Sequence, residues 1–209
     1  MEAQASNAKW VGVGVSREEL HERKRRALVS VAAQVFRDKG VQETSMDDIA
    51  AELNVSKAAI YYYVKNKQEL LFLCHSLAFD LGNEALQEAM EKGKTGAERL
   101  EIIIRSYIHK LTSELGGGAL MTSDSALSPK HLKVIRRRRQ EWDQVFRSFV
   151  EEGVKEGSLR AVDPRLIEFF VMGAIRGLHR WYSPQGPKSG EEIADELVAM
   201  VFDGIRSQG

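Results

Sequence analysis

Lys57 and Ala58 are the residues of this chain best suited to reading a base edge. An ammonium on a flexible stem reaches the major-groove acceptors of guanine, O6 and N7, and a small methyl group meets the methyl of thymine. Both stand in the run from Ser56 to Tyr62, which also carries Tyr61 and Tyr62 and reads as the exposed N-terminal end of a short helix. Thr44 and Ser45 open a preceding helix and Lys67 a following one. Side-chain donors and free backbone N–H groups at helix starts hold phosphate, because the helix dipole adds to each contact. The chemistry expected is recognition of double-stranded DNA, with Lys57 and Ala58 reading sequence and Thr44, Ser45 and Lys67 setting register.

Residues 44–67 have the length of a helix-turn-helix, whose second helix enters the major groove. Apolar beats at Met46, Ile49, Ala50, Leu53 and Val55, then at Ala59, Ile60 and Tyr63, bury one face of each helix against a third. Thr44 or Ser45 caps the first helix, Ser56 the second and Asn66 a third that begins with Lys67. Asn54 sits at the turn, where a left-handed residue is needed and Asn tolerates it. The scaffold helix opens at a capping box of Ser16 and Glu19 and stops at Gly40, with an expected buried stripe of Leu20, Ala27, Leu28, Val31, Ala32, Val35 and Phe36.

Gly40, Thr44, Ser45, Ile49, Ala50, Val55, Ser56, Tyr61, Tyr62 and Lys67 together resemble the DNA-binding domain of the TetR family of bacterial transcriptional regulators. The resemblance implies that the hydroxyls of Tyr61 and Tyr62 donate to phosphate, while Tyr63 belongs to the small core. Two positions depart from the family pattern: Asn54 stands where Gly is common, and Val64 where an aromatic residue usually closes the core.

A formal net charge of +0 carries no global signal for nucleic acid, so any DNA affinity must come from a local patch. Arg17, Arg23, Lys24, Arg25 and Arg26 cluster near the start of the first helix, and Lys57, Lys65 and Lys67 lie around the next helices. Such a cluster is equally the composition of a solvated helix face. The single cysteine, Cys74, excludes an internal disulfide and fits a reducing compartment. With no apolar run of membrane-spanning length, a cytoplasmic protein is expected.

Beyond Lys67 the chain reads as helix punctuated by Gly and Pro. One helix runs to Gly93, and Thr95 with Glu98 opens the next, which Gly116 to Gly118 end. Ser128 with Pro129, Asp163 with Pro164 and Ser189 with Glu192 open three more. The fold expected is all-α, with about nine helices. Its divisions are an arm over residues 1–15, a DNA-binding domain over 16–66 and a larger bundle over 67–209. The last two helices carry more apolar face than one bundle needs. Ile167, Phe170, Val171, Ala174 and Leu178 lie on one, and Ile193, Leu197, Val201 and Ile205 on the other, with Gly173 and Gly177 allowing close approach. Core packing explains the same residues. The resemblance implies a homodimer through these helices, and two-fold symmetry then implies a palindromic operator.

The resemblance further implies a small-molecule effector inside the larger domain. Its candidate lining is Tyr107, Met121, Trp142, Phe146, Phe169, Met172, Arg176, His179 and Trp181, residues that suit an apolar ligand with a polar head and also suit an ordinary core. The segment from Gly173 to Gly186 is similar to the branch of the family that responds to acyl-CoA thioesters or other lipid-catabolic intermediates, departing from it at Arg176–Gly177. Arg136 to Arg139 offer cations for a phosphate-rich ligand, but four consecutive residues cannot share one helix face.

Enzyme-like signals fail on spacing. Gly12 and Gly14 lack a third glycine and a preceding strand, His75, His109, His131 and His179 lack metal-ligand spacing, and Ser125 and Ser128 lie in no nucleophile elbow. No cofactor or metal is expected. A catalytic bundle and a ligand-free architectural DNA-binding dimer stand as alternatives to a ligand-released repressor.

Overall fold

The computed structural model describes residues 16–116 and 126–205. Eight helices make up the regular structure of these residues: α1 (Arg17–Lys39), α2 (Met46–Glu52), α3 (Lys57–Tyr61), α4 (Lys67–Lys92), α5 (Gly96–Leu115), α6 (Pro129–Glu156), α7 (Pro164–Trp181) and α8 (Gly190–Ile205). The fold is all-α, with eight helices rather than about nine. The irregular stretch after Gly116 adds no further helix among its described residues.

Local chemistry sets most helix ends. Ser16 Oγ accepts from Glu19 N at 3.1 Å while Ser16 N donates to Glu19 Oε2 at 2.7 Å, the reciprocal pair that satisfies two otherwise orphaned donors. Ser45 and Asp48 repeat the box at α2. Ser56, Asn66, Thr95, Ser128 and Asp163 each accept from a backbone N–H one turn or less into the following helix. At the α2–α3 turn Asn54 takes φ +52°, the one positive φ outside glycine among the described residues. That region costs an ordinary L-residue roughly 1–2 kcal/mol, which explains the choice of Asn.

The first three helices enclose a small core of Leu28, Ala32, Phe36, Ile49, Ile60 and Val64, all buried. Val64 thus closes this core without an aromatic ring. Of the stripe expected on α1, Ala27 is exposed and Leu20 and Val31 are half-buried, while Val29 and Ala33 are buried beside it. Further along the chain, α4 packs on α5, α5 on α6 and α8, and α6 on α7, while α1 lies against both α4 and α5.

The apolar face expected for dimerisation divides in two. Val171, Leu178, Ile193 and Val201 are buried in the subunit's own core, and Ile167, Ala174 and Leu197 are half-buried. Of the expected face only Phe170 stands well exposed, and the side chain of Ile205 lies outside the described residues. The exposed stripe of α7 is instead Leu166, Phe169, Phe170, Gly173 and Trp181, with Gly177 half-buried between them and Met200 exposed on α8. A Cβ added at Gly173 would meet no atom of this chain within 4 Å. No helix among the described residues is long and apolar enough to cross a membrane.

Candidate nucleic-acid interface and effector site

The tip of α3 is built by its cap. Ser56 Oγ accepts from Ala59 N at 3.2 Å, which starts the helix at Lys57 and leaves Lys57 and Ala58 exposed on its first turn. Lys57 Nζ pairs with Asp47 Oδ2 at 2.7 Å across the turn. Both groups are in water, where such a pair exchanges readily for another acceptor. Asp47 also raises the Lys57 ammonium pKa, so the cation persists through neutral pH. Tyr61 and Tyr62 are 45% and 69% exposed. Tyr62 packs edge-on to His21 and Tyr63, at ring separations of 5.6 and 5.1 Å. Tyr63 is half-buried against His21 at 4.8 Å, a packing position.

Two expected phosphate ligands are placed otherwise. Thr44 is 1% exposed and its hydroxyl donates to the Gly40 carbonyl at 2.7 Å, so its side chain ties the α1–α2 turn from within. Lys67 Nζ donates to the carbonyls of Val41, Gln42 and Thr44 at 3.0, 3.4 and 2.9 Å. It clamps the same turn instead of facing outward. Ser45 is exposed, but its hydroxyl is engaged with Asp48. Lys39, bonded to Asp48 at 2.6 Å, and then Ser45 hold that carboxyl well below the usual carboxylate range. In the basic cluster of α1, Arg26 is taken up by Glu114 and Glu84. The Lys57–Asp47 and Lys39–Asp48 pairs escape sequence reasoning because each joins two different helices across a turn.

The candidate effector lining separates into an interior group and an outer one. Tyr107 on α5 and Trp142 and Phe146 on α6 form a buried stack, with centroids 5.6 Å apart for Tyr107–Trp142 and 5.5 Å for Trp142–Phe146. Met172 is buried on α7, and Arg176 and His179 are half-buried one and two turns on. His179 Nδ1 is engaged by the Arg176 carbonyl. A Cβ at Gly82 on α4 would stand 2.9 Å from Trp142 Nε1, so the bare backbone there is what admits the indole. Trp142 is only 6% exposed, and its Nε1 has no hydrogen-bond partner among the described residues. Phe169 and Trp181, 67% and 60% exposed, stand on the opposite face of α7, away from the stack. Met121 lies outside the described residues.

Charge gathers beside the stack. Arg147 Nε lies 3.1 Å from Glu168 Oε2, and Glu168 is buried. Burial pushes the Tyr107 hydroxyl up, with Arg176 pulling the other way. Burial raises the Asp143 carboxyl against the pull of Arg176, Arg147 and Arg139. It raises Glu168 too, and the charge of Asp143 adds to that shift. Both carboxyls therefore hold protons more tightly folded than unfolded, and each costs stability as pH rises from the ordinary carboxylate pKa through the raised one. Asp143→Asn removes one such cost. Its stability difference from wild type is expected to move in favour of the variant as pH rises from about 4 to about 7. Urea unfolding across that range measures it, and a difference independent of pH contradicts the assignment.

The four consecutive arginines point different ways. Arg136 is exposed and Arg137 pairs outward with Glu141 at 2.8 Å. Arg138 crosses to α4, bonded to Asp80 and lying 5.3 Å from the Phe79 ring centroid, and Arg139 is half-buried toward Asp143. His75 is buried, and His131 stacks on Phe72 at 4.3 Å.

A capped helix-turn-helix carried on a long helical bundle with a mixed apolar and charged interior defines a DNA-binding transcriptional regulator. Residues 28–74 match the family of bacterial regulatory proteins called tetR, and residues 93–205 match the tetracyclin repressor-like C-terminal domain. The chain belongs to the TetR family. The HTH-type transcriptional repressor KstR2 of Mycolicibacterium smegmatis is 25% identical over 206 residues, covering 89% of this chain and 93% of that protein. A TetR/AcrR-family regulator from Thermobifida fusca is 30% identical with TM-score 0.63, covering 87% of this chain and 98% of the other. The regulator AibR, crystallised with isovaleryl coenzyme A and operator DNA, is 27% identical with TM-score 0.72, covering 86% and 98%. These relatives are repressors and regulators, and the chain is likewise a regulator and not an enzyme.

Proposed function

We propose that the protein is a homodimeric repressor released from a palindromic operator by an apolar, acyl-CoA-type effector. Residues 16–66 form the DNA-reading domain and residues 67–209 the effector-binding and dimerisation domain; the arm expected over residues 1–15 lies outside the described residues. The observation that carries the reading is the exposed tip of α3, where Lys57 and Ala58 stand free of the core beside Tyr61 and Tyr62. Ser45 and Ser56 cap the starts of α2 and α3. In this reading Lys57 contacts a base edge and the two tyrosines contact phosphate. The effector lies along Tyr107, Trp142, Phe146 and Met172, with Arg176 and His179 at its polar end. The likeness to AibR, and a 21% identity over 190 residues to the fatty acid metabolism regulator of Bacillus subtilis, support a thioester or lipid-type ligand. Two subunits meet through the exposed stripe of α7 and through α8. A protein with this task works in the cytoplasm.

Fluorescence anisotropy on the DNA upstream of its own gene tests this, at two salt concentrations and with and without acyl-CoA. Salt-sensitive specific binding relieved by the thioester is the expected result, and binding indifferent to it discards the effector class. Lys57→Ala is expected to lower discrimination between specific and random DNA by about 1–3 kcal/mol. Unchanged discrimination in that variant removes Lys57 from the readout.

A further inference from the structure

The last turn of α5 breaks a local rule. Glu114 places a carboxylate at the negative end of the helix dipole, and the turn holds no basic residue of its own. The missing cations come from α1. Arg26 meets Glu114 at two points, Nε to Oε2 at 2.6 Å and Nη2 to Oε1 at 2.8 Å, and lies 3.6 Å from Glu84 on α4. Ser30 Oγ donates to the Glu114 carbonyl and Arg37 Nη1 to the Gly116 carbonyl. These are C-terminal carbonyls that a helix cannot satisfy internally. Arg26, Ser30 and Arg37 are spaced to lie on one stripe of α1, so the scaffold helix of the DNA-reading head caps the end of a bundle helix.

We infer that Arg26, Ser30 and Arg37 form a latch through which occupancy of the interior site reaches the DNA-reading head. Tyr107, at one end of the aromatic stack, and Glu114 lie on one face of α5, roughly 10 Å apart along its axis. A shift at the stack therefore arrives at the latch through a rigid helix. Hydrogen bonds weaken steeply once stretched or bent, so a displacement of about 1 Å breaks these contacts. The latch thus has two states. Latched, α1 holds the head in one position relative to α5; released, α1 pivots with α2 and α3, which share its core. An effector that fits the released arrangement better shifts the population toward it. That an effector occupies the interior stack and that the head reads DNA rests on the proposed function; the latch itself rests on the α1–α5 contacts.

The test uses the full chain, isovaleryl-CoA as probe and the upstream DNA. The probe is expected to weaken DNA binding of the wild type by a factor of about 5–150. In Arg26→Met combined with Ser30→Ala, the probe is expected to bind within about threefold of wild type but to weaken DNA binding less than about twofold. Arg26→Lys, which keeps the charge and loses the two-point contact, gives an intermediate factor and serves if the double variant folds poorly. Arg26→Glu combined with Glu114→Arg restores much of the coupling. A coupling factor unchanged in the double variant overturns the latch. Should the wild type bind no isovaleryl-CoA, the acyl-CoA reading falls and amide hydrogen exchange of the free protein decides the latch. Exchange over residues 28–37 at least about tenfold faster in the double variant, with α8 unchanged, supports it; equal exchange overturns it.

Discussion

Phe169→Glu combined with Phe170→Glu is expected to give a folded monomer whose operator affinity is lower by about 10²–10⁴. Both side chains are exposed in the single subunit, beside Leu166, Gly173, Gly177 and Trp181 on the same stripe. Their replacement leaves the subunit core intact, and glutamate is a good helix former. Across a two-fold interface the change acts twice. It removes about 1.5–3 kcal/mol of burial for each Phe and sets four carboxylates into an apolar seam without partners. A monomer then binds one half-site alone and loses the high effective concentration that a linked second head provides. Sedimentation velocity gives the oligomeric state and circular dichroism the fold. A variant that remains dimeric and keeps its affinity would place the interface elsewhere.

Lys67→Met is expected to lower the stability of the protein by about 2 kcal/mol, a fall in Tm of roughly 4–8 °C for a chain of this length. The ammonium holds the carbonyls of Val41, Gln42 and Thr44, which bracket the turn into α2. Met keeps the apolar stem and removes only the charged donor. The same variant separates the clamp from a direct phosphate contact. Loss of a phosphate contact lowers the slope of log affinity against log salt by about 0.9, whereas loss of a clamp weakens binding through the fold and leaves the slope unchanged. Thermal unfolding and a salt titration on one DNA fragment distinguish them, and an unchanged Tm with a shallower slope would return Lys67 to the DNA surface.

Ordinary sequence chemistry reached far into this molecule where the determinant was local. The Ser16–Glu19 box, the caps at Ser56, Asn66 and Ser128, the stops at Gly40, Gly93 and Gly116, and the left-handed Asn54 all stand where residue type and spacing place them. Each involves backbone groups within one turn of the residue concerned, so a short window holds the needed information. The all-α class was legible for the same reason, since sustained 3.6-residue periodicity is a property of single helices.

The partners of long side chains were not legible. Lys67 and Thr44 carry the residue types of phosphate ligands, and both turn toward carbonyls of the α1–α2 segment. Arg26 sits in a basic cluster that composition alone would assign to DNA, yet its carboxylate lies 88 residues along the chain. Rotational register was hidden too. α7 carries apolar residues on two opposite stripes, so spacing alone cannot say which of them meets its own subunit. The buried stripe is Glu168, Val171, Met172, Ile175 and Leu178, which leaves Phe169, Phe170 and Trp181 outside. The sequence by itself determined the helices, their ends and the exposed tip of α3, because those depend on contacts one turn long. Only the tertiary structure decided which faces close the core, which cations are already engaged and which carbonyls they hold, because those depend on the packing angles of helices distant in the chain.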